Sequence, residues 1–322
     1  MDSEKSVFLL RANEGEIERV LKRALKMTGF KAKGTVVIKP NICAPKYVPG
    51  AVTSPTLLGI LVRLLRNTAE TVIVGESDGY NYPCELAFKK TGIKKVVENA
   101  GATVLNFSRD ALVRVRFKGS SVKSVYLPKT LLSSDALVNV PVMKTHEFTT
   151  YSGAIKNLFG LIPDNRRIFL HPHLNEVLYN IFIHLKPDIT IMDALTAMQG
   201  NGPTKGKPVR MGLILTSRCS LSLDIVAARI MNIDWRRVGH LLYIAEKIGL
   251  GEENIKTIGC DPAEVTYSFA LPEADLPVKL QHKIYEHEFL TKIAFCNSKL
   301  IKILQKFINQ YRKLLHPARA SL

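Results

Sequence analysis

The chain has 322 residues, 46% of them hydrophobic, which supplies apolar material for a full core and argues against a disordered chain. No uncharged apolar run reaches the roughly 18 residues that a spanning helix needs, and Cys43, Cys84, Cys219, Cys260 and Cys296 are scattered, with no CxxC pair for zinc or an iron–sulfur cluster. Net charge is +17, from 45 basic and 28 acidic side chains, a balance that favours anionic partners: nucleic acid, acidic lipid, or small molecules bearing phosphate or carboxylate.

In chain order, the first acidic residues precede only a short apolar stretch, so the expected location is cytoplasmic, with a peripheral place on a membrane as the other expectation. A helix pattern follows from Glu14 to Met27, with Ile17, Val20, Leu21 and Leu25 on one face. The first strand pattern, Val36 to Ile38, runs into Lys39, Pro40 and Asn41. A helix from Pro55 to Arg66 leads to the strand Thr71 to Gly75, which ends in Glu76, Ser77 and Asp78. Helices are expected over Cys84 to Thr91 and Lys94 to Asn99, a strand over Thr103 to Asn106, and an added hairpin over Val113 to Tyr126. The strand Ala136 to Pro141 leads to Lys144, Thr145 and His146; Ile189 to Met192 ends at Asp193; Met211 to Thr216 ends at Ser217 and Arg218, before a helix from Leu221 to Met231.

This alternation predicts an α/β fold with a mainly parallel sheet and helices on both faces, occupying residues 1–270. Residues 271–322 differ: they predict a basic amphipathic helical tail. Leu300, Ile301, Leu304, Phe307, Ile308, Tyr311, Leu314 and Leu315 fall on one face, Lys299, Lys302, Lys306, Arg312 and Lys313 fall off it, and Asn297 or Ser298 can cap its start. From Lys279 onward nine Lys and Arg stand against Glu286 and Glu288, giving seven of the seventeen excess charges. Such a helix can dock on its own domain, join a second copy, or contact an anionic membrane surface or nucleic acid through residues 279–319.

In an open parallel sheet ligands bind beyond the carboxyl ends of the strands, because each strand delivers its next loop there. Lys39 and Lys144 each follow an apolar run, so each needs an anionic partner: either a bound ligand or an internal carboxylate from Glu76, Asp78 or Asp193. His146 titrates near neutrality when unperturbed, and neighbouring lysines push it toward a neutral base or metal ligand. Thr149, Thr150 and Ser152 are candidate caps for a helix holding Lys156 and Asn157, whose free N–H groups would form an anion site. Pro172 sends His171 and His173 to opposite sides, so one of them can join His146 but the pair does not chelate one metal. The stretch MQGNGPTKGKPVR, with Asn201, fits no nucleotide fingerprint, yet its glycines permit close approach of backbone to a ligand.

The segments IKPN (Ile38 to Asn41), TSP (Thr53 to Pro55), PVMKTH (Pro141 to His146), GAIKNLFG (Gly153 to Gly160), His171, GNGP (Gly200 to Pro203) and Asp224 together resemble the domain-of-unknown-function family numbered 362. The resemblance covers about Val36 to Ile233. Many members carry an iron–sulfur ferredoxin segment, which this sequence lacks. It also departs from the family pattern at Cys219, where an acid is expected, at Ser220 in place of proline, and at Gln199, where Glu commonly precedes GNGP. In order and spacing, His146, Lys156 and the His171/His173 pair are also similar to residues of the nickel-dependent lactate racemase family: a proton-transfer histidine, a cofactor-linked lysine and a nickel-binding histidine.

The expectation is a small-anion-binding enzyme of undefined reaction class. His146, Lys144 and Lys156 are the catalytic candidates; Lys39, Asn41, Asn157, Asp193 and Asn201 would contact substrate; His146 and His171 would ligate any divalent metal. The alternative is a non-catalytic basic adaptor that acts through its C-terminal helix.

Overall fold

The computed structural model describes residues 3–79, 82–163, 165–273 and 275–296. Twelve strands form among these residues: β1 (Val7–Arg11), β2 (Thr35–Pro40), β3 (Thr71–Glu76), β4 (Thr103–Asn106), β5 (Leu112–Arg116), β6 (Ser124–Pro128), β7 (Ala136–Val140), β8 (Val142–His146), β9 (Thr150–Ser152), β10 (Ile189–Gln199), β11 (Lys207–Ser217) and β12 (Thr257–Gly259). Ten of them build one mixed, mainly parallel sheet in the order β12-β1-β11-β10-β7-β2-β3-β4, with β8 on β10 and β9 on β8, while β5 and β6 form the separate expected hairpin.

The strands β2 and β7 are nearly continuous apolar runs because both faces of the sheet are covered, as parallel sheets require. Side chains alternate between two cores. Val37 points into the one built with the helices Leu174–Leu185, Ser220–Ile230 and Gly239–Ile248. Val36 and Ile38 point into the other, under Ile17–Thr28, Pro55–Arg66, Cys84–Lys90 and Ile93–Asn99. The helix Pro55–Arg66 starts as its sequence demands, with Ser54 Oγ accepting from the Leu57 N–H at 3.3 Å and Pro55 in the first turn, where its missing N–H costs nothing.

Two expected strand ends lie elsewhere. β11 is antiparallel to both its neighbours, β1 and β10, so Ser217, opposite Thr190 at the start of β10, ends a strand that runs against the expected parallel direction, and Arg218 leaves the sheet there. β10 does not stop at Met192. It leaves β7 after Thr190 and takes up β8 from Asp193, so Asp193 lies inside a strand, where the change of partner occurs. Pro141 separates β7 from β8, and its carbonyl accepts from the Asp193 N–H at 2.9 Å.

In the tail, the described residues form the helices Leu276–Tyr285 and Glu288–Cys296. The predicted stripe from Leu300 to Leu315, with its caps Asn297 and Ser298, lies outside the described residues. Among those described, no helix is long and apolar enough to cross a membrane.

Candidate functional site

The carboxyl ends of β2 and β3 bring Lys39 and Glu76 together. Lys39 Nζ donates to Glu76 Oε2 and to the Pro40 carbonyl, both at 2.7 Å, and lies 3.4 Å from Asn157 Oδ1. Its partner is thus internal, the second of the two alternatives its position allowed. Burial pushes the ammonium pKa down and the Glu76 carboxylate opposes this. Gly160 closes over the pair: a Cβ there would stand 3.0 Å from Glu76 Oε1 and 3.1 Å from Lys39 Nζ.

A chain of amides runs outward from this pair. Asn41 Nδ2 donates to Asn157 Oδ1 at 3.0 Å, Asn157 Nδ2 to Asn139 Oδ1 at 2.8 Å, and Asn139 Nδ2 to the Ala154 carbonyl at 3.0 Å. Lys144, on β8, is equally buried and donates to Asn41 Oδ1, to the Ala51 carbonyl at 2.8 Å and to Cys43 Sγ at 3.3 Å. Among the described residues it has no carboxylate partner.

The helix Ala154–Asn157 is not an open anion site. Thr149, Thr150 and Ser152 do not cap it; the carboxylate of Asp224 accepts from the Ala154 N–H at 2.6 Å, the Ile155 N–H at 2.8 Å and the Tyr151 hydroxyl at 2.8 Å. Position 153 must be glycine, because a Cβ would come within 2.1 Å of the Tyr151 hydroxyl and 2.2 Å of Asp224 Oδ1. Burial pushes the Asp224 carboxyl up to about 7, against the lowering effect of its three donors. Asp193 is likewise spent on backbone, accepting from the Ser54 N–H at 2.8 Å and the Leu195 N–H at 3.2 Å, with burial raising it to about 6. Asn201 Oδ1 accepts from the Glu273 N–H at 2.8 Å and so fixes the start of the tail.

Lys156 leaves the same short helix on the side of three histidines. Its Nζ stands 4.8 Å above the Phe159 ring, and among the described residues no carboxylate meets it. Burial, then the nearby charges of Arg167 and Lys144, hold it down to about 8. His146 Nδ1 accepts from the Phe148 N–H at 3.1 Å, which leaves the proton on Nε2. His171 Nδ1 faces the Ile168 carbonyl at 2.8 Å and must carry its proton there, leaving Nε2 as an acceptor. His240, from the helix Gly239–Ile248, is fully buried, and its Nε2 has no hydrogen-bond partner. Burial, reinforced by Lys156, lowers His171 and His240 to about 3; His146 is lowered well below its ordinary value by burial, then by Lys156, Lys144, His171 and His240. All three rings are neutral at neutral pH. No group of three or more His, Cys, Asp or Glu among the described residues is arranged to hold a metal ion, so His146 and His171 are not completed into a metal-ligating set.

The tail covers this cluster. Tyr285 stacks on the His171 ring at 4.4 Å and lies 5.3 Å from the Phe148 ring; Phe159 meets the other edge of His171 at 5.4 Å. His282 Nε2 contacts the Glu147 carbonyl at 2.8 Å. His173 has a different partner from His171, with its Nε2 3.4 Å from Glu288 Oε2, and the backbone through Pro172 is 3-10 helical and not extended. Sequence reasoning passed over Asn139, though a lone amide in the apolar strand ALVNV was a usable signal. It also passed over His240 and Tyr285, for which no local pattern existed.

A family model described as Domain of unknown function (DUF362) matches residues 36–229. A thylakoid-associated protein of Synechocystis sp. is 27% identical over 254 residues, an alignment that covers 71% of this chain and 75% of that protein. Among solved structures, the lactate racemase apoprotein from Thermoanaerobacterium thermosaccharolyticum is similar with a TM-score of 0.46 at 14% sequence identity, over 72% of this chain and 59% of its own. This chain therefore spans less than two thirds of that structure.

Proposed function

The chain belongs to the family described as Domain of unknown function (DUF362), and from that premise we propose that its cleft binds a small carboxylate- or phosphate-bearing molecule and moves a proton on it. The observation that carries this reading is the pair of desolvated ammonium groups, Lys144 and Lys156, that meet no carboxylate among the described residues. Desolvated cations without a counter-charge are stabilised by a bound anion, and the gain is realised on ligand binding. Lys156 and Lys144 hold the anion; Asn41 and Asn157 orient it through the amide chain; Lys39, neutralised by Glu76, positions Asn157. Asp193 and Asn201 shape the surrounding backbone.

His146 and His171 supply the acid–base chemistry. Both are neutral, one presenting an Nε2 proton and the other an Nε2 lone pair, the complementary pair that proton transfer requires. Calorimetric titration of the full chain with lactate, acetate and inorganic phosphate tests the reading. Wild type binds at least one of them, and Lys156→Ala weakens binding by roughly 10-fold or more, the loss of a charged hydrogen bond. His146→Ala keeps the anion but stops exchange of substrate hydrogen with deuterated water. A folded wild type that binds none of the three, or an unchanged Lys156→Ala, overturns it.

A further inference from the structure

The two tail helices that cover the site turn a second face outward. On Leu276–Tyr285, Leu276, Lys279, Leu280 and Lys283 follow at three- and four-residue steps and are all exposed, while Val278 is buried against the domain. On Glu288–Cys296, Phe289, Leu290 and Ile293 are exposed with Lys292, and Thr291 is buried. Phe289 is 72% exposed and Leu276 64%, degrees of exposure uncommon for large apolar side chains unless something else covers them. Within residues 276–296 the acids are Glu286 and Glu288, and Glu288 is already engaged by Lys292 Nζ at 2.6 Å and by His173.

We propose that this face is a docking surface for an anionic lipid bilayer. Apolar side chains flanked by lysines are what the boundary between headgroups and acyl chains accepts: Leu276, Leu280, Phe289, Leu290 and Ile293 enter the acyl region while Lys279, Lys283 and Lys292 remain among the headgroup phosphates. The charge complementarity extends along the chain, because the sequence beyond residue 296 adds Lys299, Lys302, Lys306, Arg312, Lys313 and Arg319 and no acid. Helices of ten and nine residues are too short to span a bilayer, so the contact lies in the plane of the surface.

Sedimentation of the full chain with phosphatidylglycerol vesicles, beside phosphatidylcholine vesicles, tests this. Expected are binding to phosphatidylglycerol that weakens with added salt, and little binding to phosphatidylcholine. The exposed-site variants Leu280→Ser and Phe289→Ser, whose circular dichroism should match wild type, each lose roughly tenfold in partitioning. Lys279→Gln with Lys283→Gln loses a comparable amount. Failure of the full chain to bind phosphatidylglycerol overturns the proposal, and so does equal binding by Phe289→Ser, which would leave charge alone as the cause. A dimer in lipid-free solution that Phe289→Ser dissociates assigns the face to a second copy instead, and tighter binding to single-stranded DNA than to vesicles assigns it to nucleic acid; either result overturns it.

Discussion

A lysine at the end of an apolar strand is a demand for negative charge, and Lys39 meets it with Glu76, 37 residues away and on the neighbouring strand. Because both members are buried, removing one leaves the other as an uncompensated charge. Lys39→Met is expected to cost about 3–5 kcal/mol in urea unfolding, whereas Lys39→Met with Glu76→Gln should cost much less. His240 shows the complementary case, with an Nε2 buried without a hydrogen-bond partner. Burial lowers its pKa to about 3 in the folded state from 6.5 in the unfolded chain, so below pH 6.5 the unfolded chain takes up a proton that the folded one refuses. Its stability contribution is complete above pH 6.5 and is lost as the pH falls toward 3. Asp224 and Asp193 act in the opposite sense, since raised folded values favour the folded state at low pH. His240→Leu is therefore expected to lose less stability than wild type between pH 7 and pH 5, by about 2 kcal/mol, as measured by paired denaturation curves.

Among elements, the helix Ala154–Asn157 has only four residues and cannot sustain itself. It is held by Asp224, whose carboxylate reaches across 70 residues to satisfy the Ala154 N–H and across 69 to satisfy the Ile155 N–H. Asp224→Asn would turn an amide donor toward one of these donors. The expected loss is about 1–3 kcal/mol by urea unfolding above pH 8, where wild-type Asp224 is ionised, together with weaker anion binding because Lys156 and Asn157 lose their platform. Strands such as β2, β3, β4 and β7 were legible in the sequence because β-branched runs report burial directly. The helix Pro55–Arg66 has the expected bounds, and Ser54 and Pro55 supply its start locally. The reversed direction of β11 was not legible, since an apolar run carries no sign of which way it enters the sheet. The occupant of the short helix start was not legible either, because the capping carboxylate belongs to a distant element. At the site, Lys39, Lys144, His146, Lys156 and Asn157 stood out by position, while His240 is one histidine in a helix with no distinguishing pattern.

In the molecule as a whole, rigidity is unevenly distributed around the cluster of Lys39, Lys156 and His171. Its floor is formed by β2, β3, β7 and β10, each hydrogen-bonded to neighbours on both sides. Its cover is the helix Leu276–Tyr285, placed there by ring contacts of Tyr285 and His282 and by the bond from His282 to the Glu147 carbonyl. Units of this second kind open locally at a far smaller free-energy cost than the sheet. Under the proposed function, the stack of Tyr285 on His171 sets a clock on ligand association. If the ring must leave before an anion can arrive, the observed association rate in stopped-flow mixing climbs with ligand concentration and then levels off at the opening rate of the cover. In Tyr285→Ala, with the stack removed, it continues to rise in proportion to ligand concentration.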